Sequence, residues 1–280
     1  MEHFASGSKR HYYGKRGVTV YRVHRTARPA SQASPVFGAT VQMLIYGDAL
    51  WPTYLTGDNT GLIATDSMRN FIQRETLAFI GDDLEAYCRF LGQTFLEVYP
   101  AVEGVQLTTV EVPYSGTGAA VMPGGPERAI ARLELTRAGV VEVVSGVSGF
   151  QLLRLSGSSF SGFLRDQYTS LTDAADRPLQ LGLDVEWRYV NSEAAFTDGR
   201  LLAHVRHLVQ DVFHTFESRS IQQLLHRIGS RVLEDLPVVA DVHLEASNRT
   251  WDRMAERGDD VSVFDDARPA HGCIGLRLTR

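Results

Sequence analysis

RLLAHVRHLVQDVFHTFES (residues 200–218) and SIQQLLHRIGSRVLEDL (residues 220–236) decide the fold class of this 280-residue chain. In each segment apolar residues recur every three or four positions, which is the spacing of a helix with one buried face. The first half of the chain shows the same pattern from residue 67 onward and again over residues 82–99. Each half therefore carries two consecutive amphipathic helices whose apolar faces need a sheet to cover them.

Segments typical of strands flank both helix pairs. In the first half they cover residues 18–25, 39–47, 105–113 and 129–136, and in the second half residues 140–155, 181–190, 238–245 and 273–279. The element order is ββααββ, twice, which predicts an α+β fold with one unit over residues 1–137 and another over 138–280. The Gly/Pro-rich segments 114–125 and 257–270 are predicted loops.

Four strands with two helices on one side form an antiparallel sheet with one covered face. Two such units can join edge to edge, but the joined sheet still exposes strand edges and its second face. Self-association into a closed ring would cover both, so we expect a symmetric oligomer.

Composition and charge exclude several classes of protein. The formal net charge is −5, so nothing favours nucleic acid as a partner, and no apolar run reaches the length of a membrane span. The N-terminus has no apolar stretch typical of a secretory signal, and Leu278-Thr279-Arg280 is not the Ser-Lys-Leu peroxisomal address. We therefore expect a cytoplasmic protein, in which Cys88 is a buried free thiol.

Lysine is scarce in this chain. Of its 28 basic residues 26 are arginine, and the only lysines are Lys9 and Lys15. An environment can tune a lysine to give up its proton, whereas arginine stays charged. Lys9 lies in a polar tail, but Lys15 enters a predicted strand and is a candidate for chemistry.

Several stretches resemble urate oxidases. They are 13–15 (YGK), 57–60 (GDNT), 64–68 (ATDSM), 99–100 (YP), 160–169 (FSGFLRDQYT), 176–177 (DR) and 269–274 (PAHGCI). The match spans nearly the whole chain, and the longer strings are too specific for chance to explain. The resemblance implies two tandem tunnelling-fold units per chain and a homotetramer with active sites at subunit interfaces. It also implies a cofactor-free enzyme of purine catabolism that oxidises urate with O₂, without a metal.

The same resemblance assigns residues to the substrate. Arg177 and Gln222 grip the planar urate anion, because a guanidinium offers a flat fork of donors. Phe160 stacks on the flat ring, and Leu171 and Ile221 line the pocket.

A base relay is assigned in the same way to Lys15 and Thr65, donated by a neighbouring subunit. The threonine hydroxyl contacts the substrate or a water above it, and the lysine amine accepts the proton. The backbone N–H of Asp66 binds a urate oxygen.

One position departs from the family pattern. The family uses an Asn-x-His element on the oxygen side of the ring, but this chain has Asn248 followed by Thr250, and no histidine occurs until His271. Threonine can pass a hydrogen bond but cannot become a cation. We hypothesise that Thr250, directly or through a water, takes part of the histidine's role with altered pH dependence.

The residues alone also allow simpler roles. Asp176 and Arg177 could form a surface ion pair, and segment 65–67 could be a helix N-cap. His204 and His207 share a helix face, but no other ligand joins them, so a solvated face is favoured over a metal site.

Two alternative functions follow for the whole chain. A pterin-forming cyclohydrolase or aldolase could share the architecture, although the zinc-dependent kind needs a Cys/His cluster that this sequence lacks. A purine-binding protein that has lost turnover is favoured only by the missing histidine.

Overall fold

A computed structural model describes residues 11–24, 35–116, 120–258 and 261–280. The chain divides into two compact units, of which unit 1 comprises Met1–Ser145 with Asn191–Gly199, and unit 2 comprises Gly146–Val190 with Arg200–Arg280. The division falls inside one strand. Lys9 lies outside the described residues, and the repeat boundary at residue 137 stays a prediction.

Unit 1 contains the first sheet segment and its covering helices. Its elements are β1 (Tyr13–Val23), β2 (Val36–Tyr46), a 3-10 turn (Asp48–Leu50), α1 (Trp51–Thr56), α2 (Thr65–Glu75), α3 (Leu84–Val98), β3 (Gly104–Glu111), β4 (Tyr114–Ser115), β5 (Met122–Pro123), β6 (Arg128–Thr136), the first part of β7 (Gly139–Arg154) and a 3-10 turn (Ser192–Phe196). Its strands lie in the order β1-β2-β3-β6-β7, and the pairs from β1 to β6 are antiparallel. Helix α3 packs on β3 and β6 through a buried face that includes Tyr87, Leu91 and Phe95.

Unit 2 repeats this plan. It contains the rest of β7, β8 (Leu179–Tyr189), α4 (Leu201–Thr215), α5 (Ile221–Asp235), β9 (Val239–Asn248), β10 (Asp252–Arg257), β11 (Val261–Asp265) and β12 (Gly272–Thr279). The order is β7-β8-β9-β12, and β9 pairs antiparallel with both of its neighbours. Helix α5 packs on β9 and β12, and burial of each large apolar side chain contributes roughly 1.5–3 kcal/mol.

The mixed fold with a large antiparallel sheet is therefore confirmed, as are the helices around residues 84–98, 201–215 and 221–235. The loop prediction for 257–270 was wrong in part, because Val261–Asp265 pairs with Asp252–Arg257 as a hairpin. The predicted loop 114–125 likewise contains the two-residue strands β4 and β5. Both hairpins are short and largely exposed, so the sequence shows no continuous apolar pattern there.

One further prediction is confirmed. Cys88 is a fully buried free thiol, as expected. Among the described residues, none of the helices has both the length and the hydropathy that crossing a membrane requires.

Candidate active site

Strand β1 carries Tyr13, Gly14 and Lys15 at its start. Gly14 is required there, because a Cβ atom on it would lie 1.9 Å from the backbone carbonyl oxygen of Met43. Lys15 pairs with Met43 across the strands, and the register shifts immediately after it. The close approach of the two backbones at Gly14 and the register shift after Lys15 fix the position of the half-buried lysine in the strand.

Helix α2 begins at Thr65, one residue after Ala64, which is its N-cap and forms no side-chain cap. The alternative of a side-chain N-cap at residues 65–67 was therefore wrong. The first backbone N–H groups of an uncapped helix lack partners within the helix. They lie at its N-terminus, which is the positive end of the helix dipole. The start of α2 consequently offers donors to an anion.

The carboxylate of Asp66 is engaged away from that helix end. It pairs with Arg69 at 2.7 Å and accepts a hydrogen bond from Asn70 at 3.0 Å. The backbone N–H of Asp66 belongs to the first turn and is one of the uncapped donors.

Tyr13 ties the lysine and threonine segments together. Its hydroxyl oxygen accepts a hydrogen bond from the backbone N–H of Ile63 at 3.0 Å. Tyr13 precedes Lys15 by two residues, and Ile63 precedes Thr65 by two residues. Burial raises the pKa of Tyr13, so the phenol remains neutral at physiological pH. Unit 1 thus brings the Lys15 and Thr65 segments side by side.

In unit 2 two short segments place Phe160 and Arg177 next to each other. The backbone N–H of Phe160 donates to the carbonyl of Ala174 at 2.8 Å, and the reverse bond is 2.9 Å. The N–H of Arg177 donates to the carbonyl of Ser158 at 2.9 Å. As a result the guanidinium carbon of Arg177 lies 5.5 Å from the centroid of the Phe160 ring.

Arg177 has unused hydrogen-bonding capacity. Its Nε atom is buried and has no partner among the described residues, and burial lowers the pKa of the guanidinium, which nevertheless stays charged. The alternative of a surface ion pair between Asp176 and Arg177 was therefore wrong. The Asp176 carboxylate instead accepts the backbone N–H groups of Gly157 at 2.7 Å and Ser158 at 3.2 Å.

A second aromatic residue belongs to this group. Phe163 stacks on Phe160 with the ring centroids 5.0 Å apart and an interplanar angle of 10°. The guanidinium of Arg165 lies over Phe163 at 4.8 Å. Phe163 therefore supports the Phe160 ring, a role that its apolar character alone did not indicate.

The remaining substrate-side predictions occupy different environments. Gln222 is exposed on the first turn of α5, whose N-terminus is closed by a reciprocal pair in which Ser220 accepts the N–H of Gln223 and Gln223 accepts the N–H of Arg219. Leu171 is 48% exposed, whereas Ile221 is 6% exposed and belongs to the core of unit 2.

Asn248 ends β9 between two neighbouring strands. It pairs with Leu181 of β8 and with Gly272 of β12, and its side-chain oxygen is buried with no partner in the described parts of the chain. Thr250 lies two residues beyond the strand and is exposed. The asparagine is thus held by the sheet, and the threonine is not.

The histidine pair His204 and His207 lies on α4. His204 and His207 are both exposed, and the described residues contain no group of three or more His, Cys, Asp or Glu side chains arranged to hold a metal ion.

Comparison with known proteins gives a consistent result. A family model described as Uricase matches residues 143–274. A uricase from Halalkalicoccus jeotgali is 34% identical, over 92% of this chain and 94% of its own length. The solved urate oxidase of Bacillus sp. TB-90 superposes with a TM-score of 0.88 at 31% identity, covering 96% of this chain and 100% of that one.

Other relatives are longer than this chain. The uric acid degradation bifunctional protein of Bacillus sp. TB-90 is 33% identical over 96% of this chain, which spans only 60% of that relative's length.

Proposed function

Since the chain belongs to the uricase family, we propose that it is a cofactor-independent urate oxidase of purine catabolism. In the proposed reaction urate, O₂ and water give 5-hydroxyisourate and hydrogen peroxide. Urate loses two electrons, O₂ gains them, and water supplies the hydroxyl group. The observation that carries the proposal is the pairing of a flat ring, Phe160, with a guanidinium, Arg177, whose buried Nε has no partner in the described structure.

Binding of the urate anion rests on Arg177 and Gln222. A planar anion with oxygen and nitrogen atoms along one edge matches the fork of the guanidinium, and charge-assisted hydrogen bonds of this kind are about twice as strong as neutral ones. The exposed amide of Gln222 completes the grip. Because the carboxylate of Asp176 is engaged with backbone amides, it does not compete for Arg177.

Orientation of the substrate ring rests on Phe160, with Leu171 and Ile221 as apolar neighbours. Aromatic rings prefer stacked or edge-on contact, and the stack of Phe163 behind Phe160 fixes the plane on which urate would lie.

Proton removal falls to Lys15 and Thr65 of a neighbouring subunit. In this proposal the chain forms a homotetramer with tunnelling-fold architecture, and each active site draws residues from two subunits. The Thr65 hydroxyl contacts the substrate or its overlying water, and the Lys15 amine receives the proton. The uncapped start of α2 supports the assignment, because its N–H groups, including that of Asp66, suit an anionic ligand.

The oxygen side of the ring falls to Asn248, with Thr250 in place of the family's histidine. The buried, unpartnered side-chain oxygen of Asn248 can accept a hydrogen bond from a water or from reduced oxygen. A hydroxyl at Thr250 can relay a proton but cannot hold a positive charge, so this chain's pH dependence should differ from that of a histidine enzyme.

The test compares Lys15→Met with the purified parent chain. Parent protein treated with a chelator should consume urate and O₂ and release peroxide, whereas Lys15→Met should bind urate but lose turnover. Arg16→Met, which removes the exposed neighbouring cation, is the matched control and should keep turnover.

Three results would overturn parts of the proposal. Full turnover by Lys15→Met would refute the base relay. Activity abolished by the chelator would refute the cofactor-free mechanism. Tight urate binding without turnover in the parent would favour a purine-binding protein. That alternative is supported by Thr250, which stands where the family has a histidine.

A further inference from the structure

We infer that Asp176 is a positioning residue that sets the distance between the Phe160 ring and the Arg177 guanidinium. The inference rests on the proposed function in so far as the ligand is taken to be the urate anion. Asp176 touches no substrate in this account. It acts through the backbone of the segment that leads into Phe160.

The contacts of the carboxylate are specific. One oxygen of Asp176 accepts two backbone N–H groups, those of Gly157 at 2.7 Å and Ser158 at 3.2 Å. Hydrogen bonds to an ionised acceptor are shorter and stronger than neutral ones. An anchor matters at this point, because Gly157 has a φ of +79°, and a glycine loses more conformational freedom than other residues when its backbone is held in one conformation.

These two bonds close a short ladder between two segments. At its far end Phe160 and Ala174 exchange both backbone hydrogen bonds, and in its middle Arg177 donates to Ser158. The bonds from Gly157 and Ser158 to the Asp176 carboxylate form the opposite end of the ladder. The ring is carried by one side of the ladder and the guanidinium by the other, so slippage of the ladder changes their separation.

A second tether connects the same segment to the approach of α5. Ser218 donates its N–H to the carbonyl of Gly157 at 3.2 Å and accepts the N–H of Ser159 at 2.9 Å. Ser218 lies four residues before Gln222. Loss of the Asp176 anchor would therefore disturb the other half of the proposed anion grip as well.

The direction of the carboxylate has a second consequence. An aspartate next to an arginine in sequence could pair with it and occupy its donors. Here the Asp176 carboxylate accepts hydrogen bonds from backbone amides instead. The buried Nε of Arg177 has no hydrogen-bond partner among the described residues. The residue thus holds the arginine in place and leaves its fork available.

The experiment separates positioning from chemistry by comparing Asp176→Ala, Asp176→Asn and the parent chain. Urate binding is measured under anaerobic conditions, where urate is not consumed, and KM and kcat are measured in air. Asp176→Ala should weaken binding and raise KM by about tenfold while kcat changes much less, because a loosened grip weakens binding of the substrate and of the transition state alike. Asp176→Asn keeps an acceptor oxygen but loses the charge, so it should weaken binding less than Asp176→Ala does.

Asp184→Ala is the matched control. Asp184 also accepts a glycine N–H, that of Gly149 at 2.7 Å, but it contacts neither segment of the ladder. It should bind urate as the parent does. Unchanged binding in Asp176→Ala, an equal loss in Asp184→Ala, or an asparagine variant as weak as the alanine variant would each overturn the inference.

Hydrogen exchange tests the positioning role without urate. The amides of Gly157 and Ser158 should exchange faster in Asp176→Ala than in the parent, whereas the amide of Phe160, held by Ala174, should change less. Equal protection at residues 157 and 158 would overturn the inference. A parent that neither binds nor oxidises urate would refute the proposed function, while the exchange result would still decide the role of Asp176.

Discussion

Replacement of Glu85 by glutamine should make the stability of the chain less sensitive to a rise in pH between about 4.5 and about 8. Glu85 lies in the first turn of α3, where its carboxyl interacts with Asp83 and with the hydroxyl of Ser145. Burial, with the nearby Asp83 carboxylate as the second cause, raises the pKa of Glu85 to about 8. The native side chain is therefore protonated at neutral pH.

The sign of the effect follows from proton binding. Between the ordinary pKa of 4.5 and the native value of about 8, the folded chain holds a proton that the unfolded chain has released. Stability contributed by this group is complete below the lower value and is lost as the pH rises through the upper one. The loss is about 1.4 kcal/mol per pH unit, with an upper limit of roughly 5 kcal/mol over the window.

Urea unfolding between pH 5 and 9 measures the effect. Glu85→Gln is neutral throughout, so the difference in unfolding free energy between variant and parent should shift in favour of the variant up to about pH 8 and then level off. Glu97→Gln on the exposed side of the same helix is the control and should follow the parent. A pH-independent difference for Glu85→Gln would refute the reasoning.

Three further substitutions test the site and its support. Arg177→Lys should lower kcat/KM for urate by about 10- to 100-fold, because an ammonium cannot reproduce the guanidinium fork; parent-like kinetics would contradict the anion grip. Gly14→Ala should destabilise the chain by about 1–3 kcal/mol in urea unfolding, because its methyl group collides with the Met43 carbonyl, while Gly125→Ala, with open space around it, should not. Thr250→His should add a titration near pH 6.5 or so to the pH–rate profile; an unchanged profile would end the idea that Thr250 stands in for a histidine.

The core elements could be predicted because burial leaves a periodic trace. Helix α5 shows this best, since Leu224, Leu225, Ile228 and Val232 are all buried and recur at helical spacing. The β10–β11 hairpin leaves no such trace, because all of its side chains are exposed or half-buried. The sequence therefore predicts a loop where the backbone forms a hairpin.

The residues of the candidate site could be predicted only in part, and from family resemblance more than from periodic patterns. Phe160, Arg177 and Lys15 were reached through resemblance to a family, with the scarcity of lysine as an independent pointer to Lys15. The role of Asp176 was missed, because adjacency to Arg177 suggested an ion pair and its true partners lie some 18 residues earlier in the chain. Phe163 was missed for a similar reason, since stacking depends on the loop path and leaves no periodic signal.

Stoichiometry of the reaction tests the central claim most directly. Chelator-treated parent protein is supplied with urate in air, and the urate consumed, the O₂ consumed and the peroxide formed are measured together. The proposed oxidation predicts equal amounts of all three. Urate that binds without being consumed, or consumption that needs an added metal or cofactor, would contradict it.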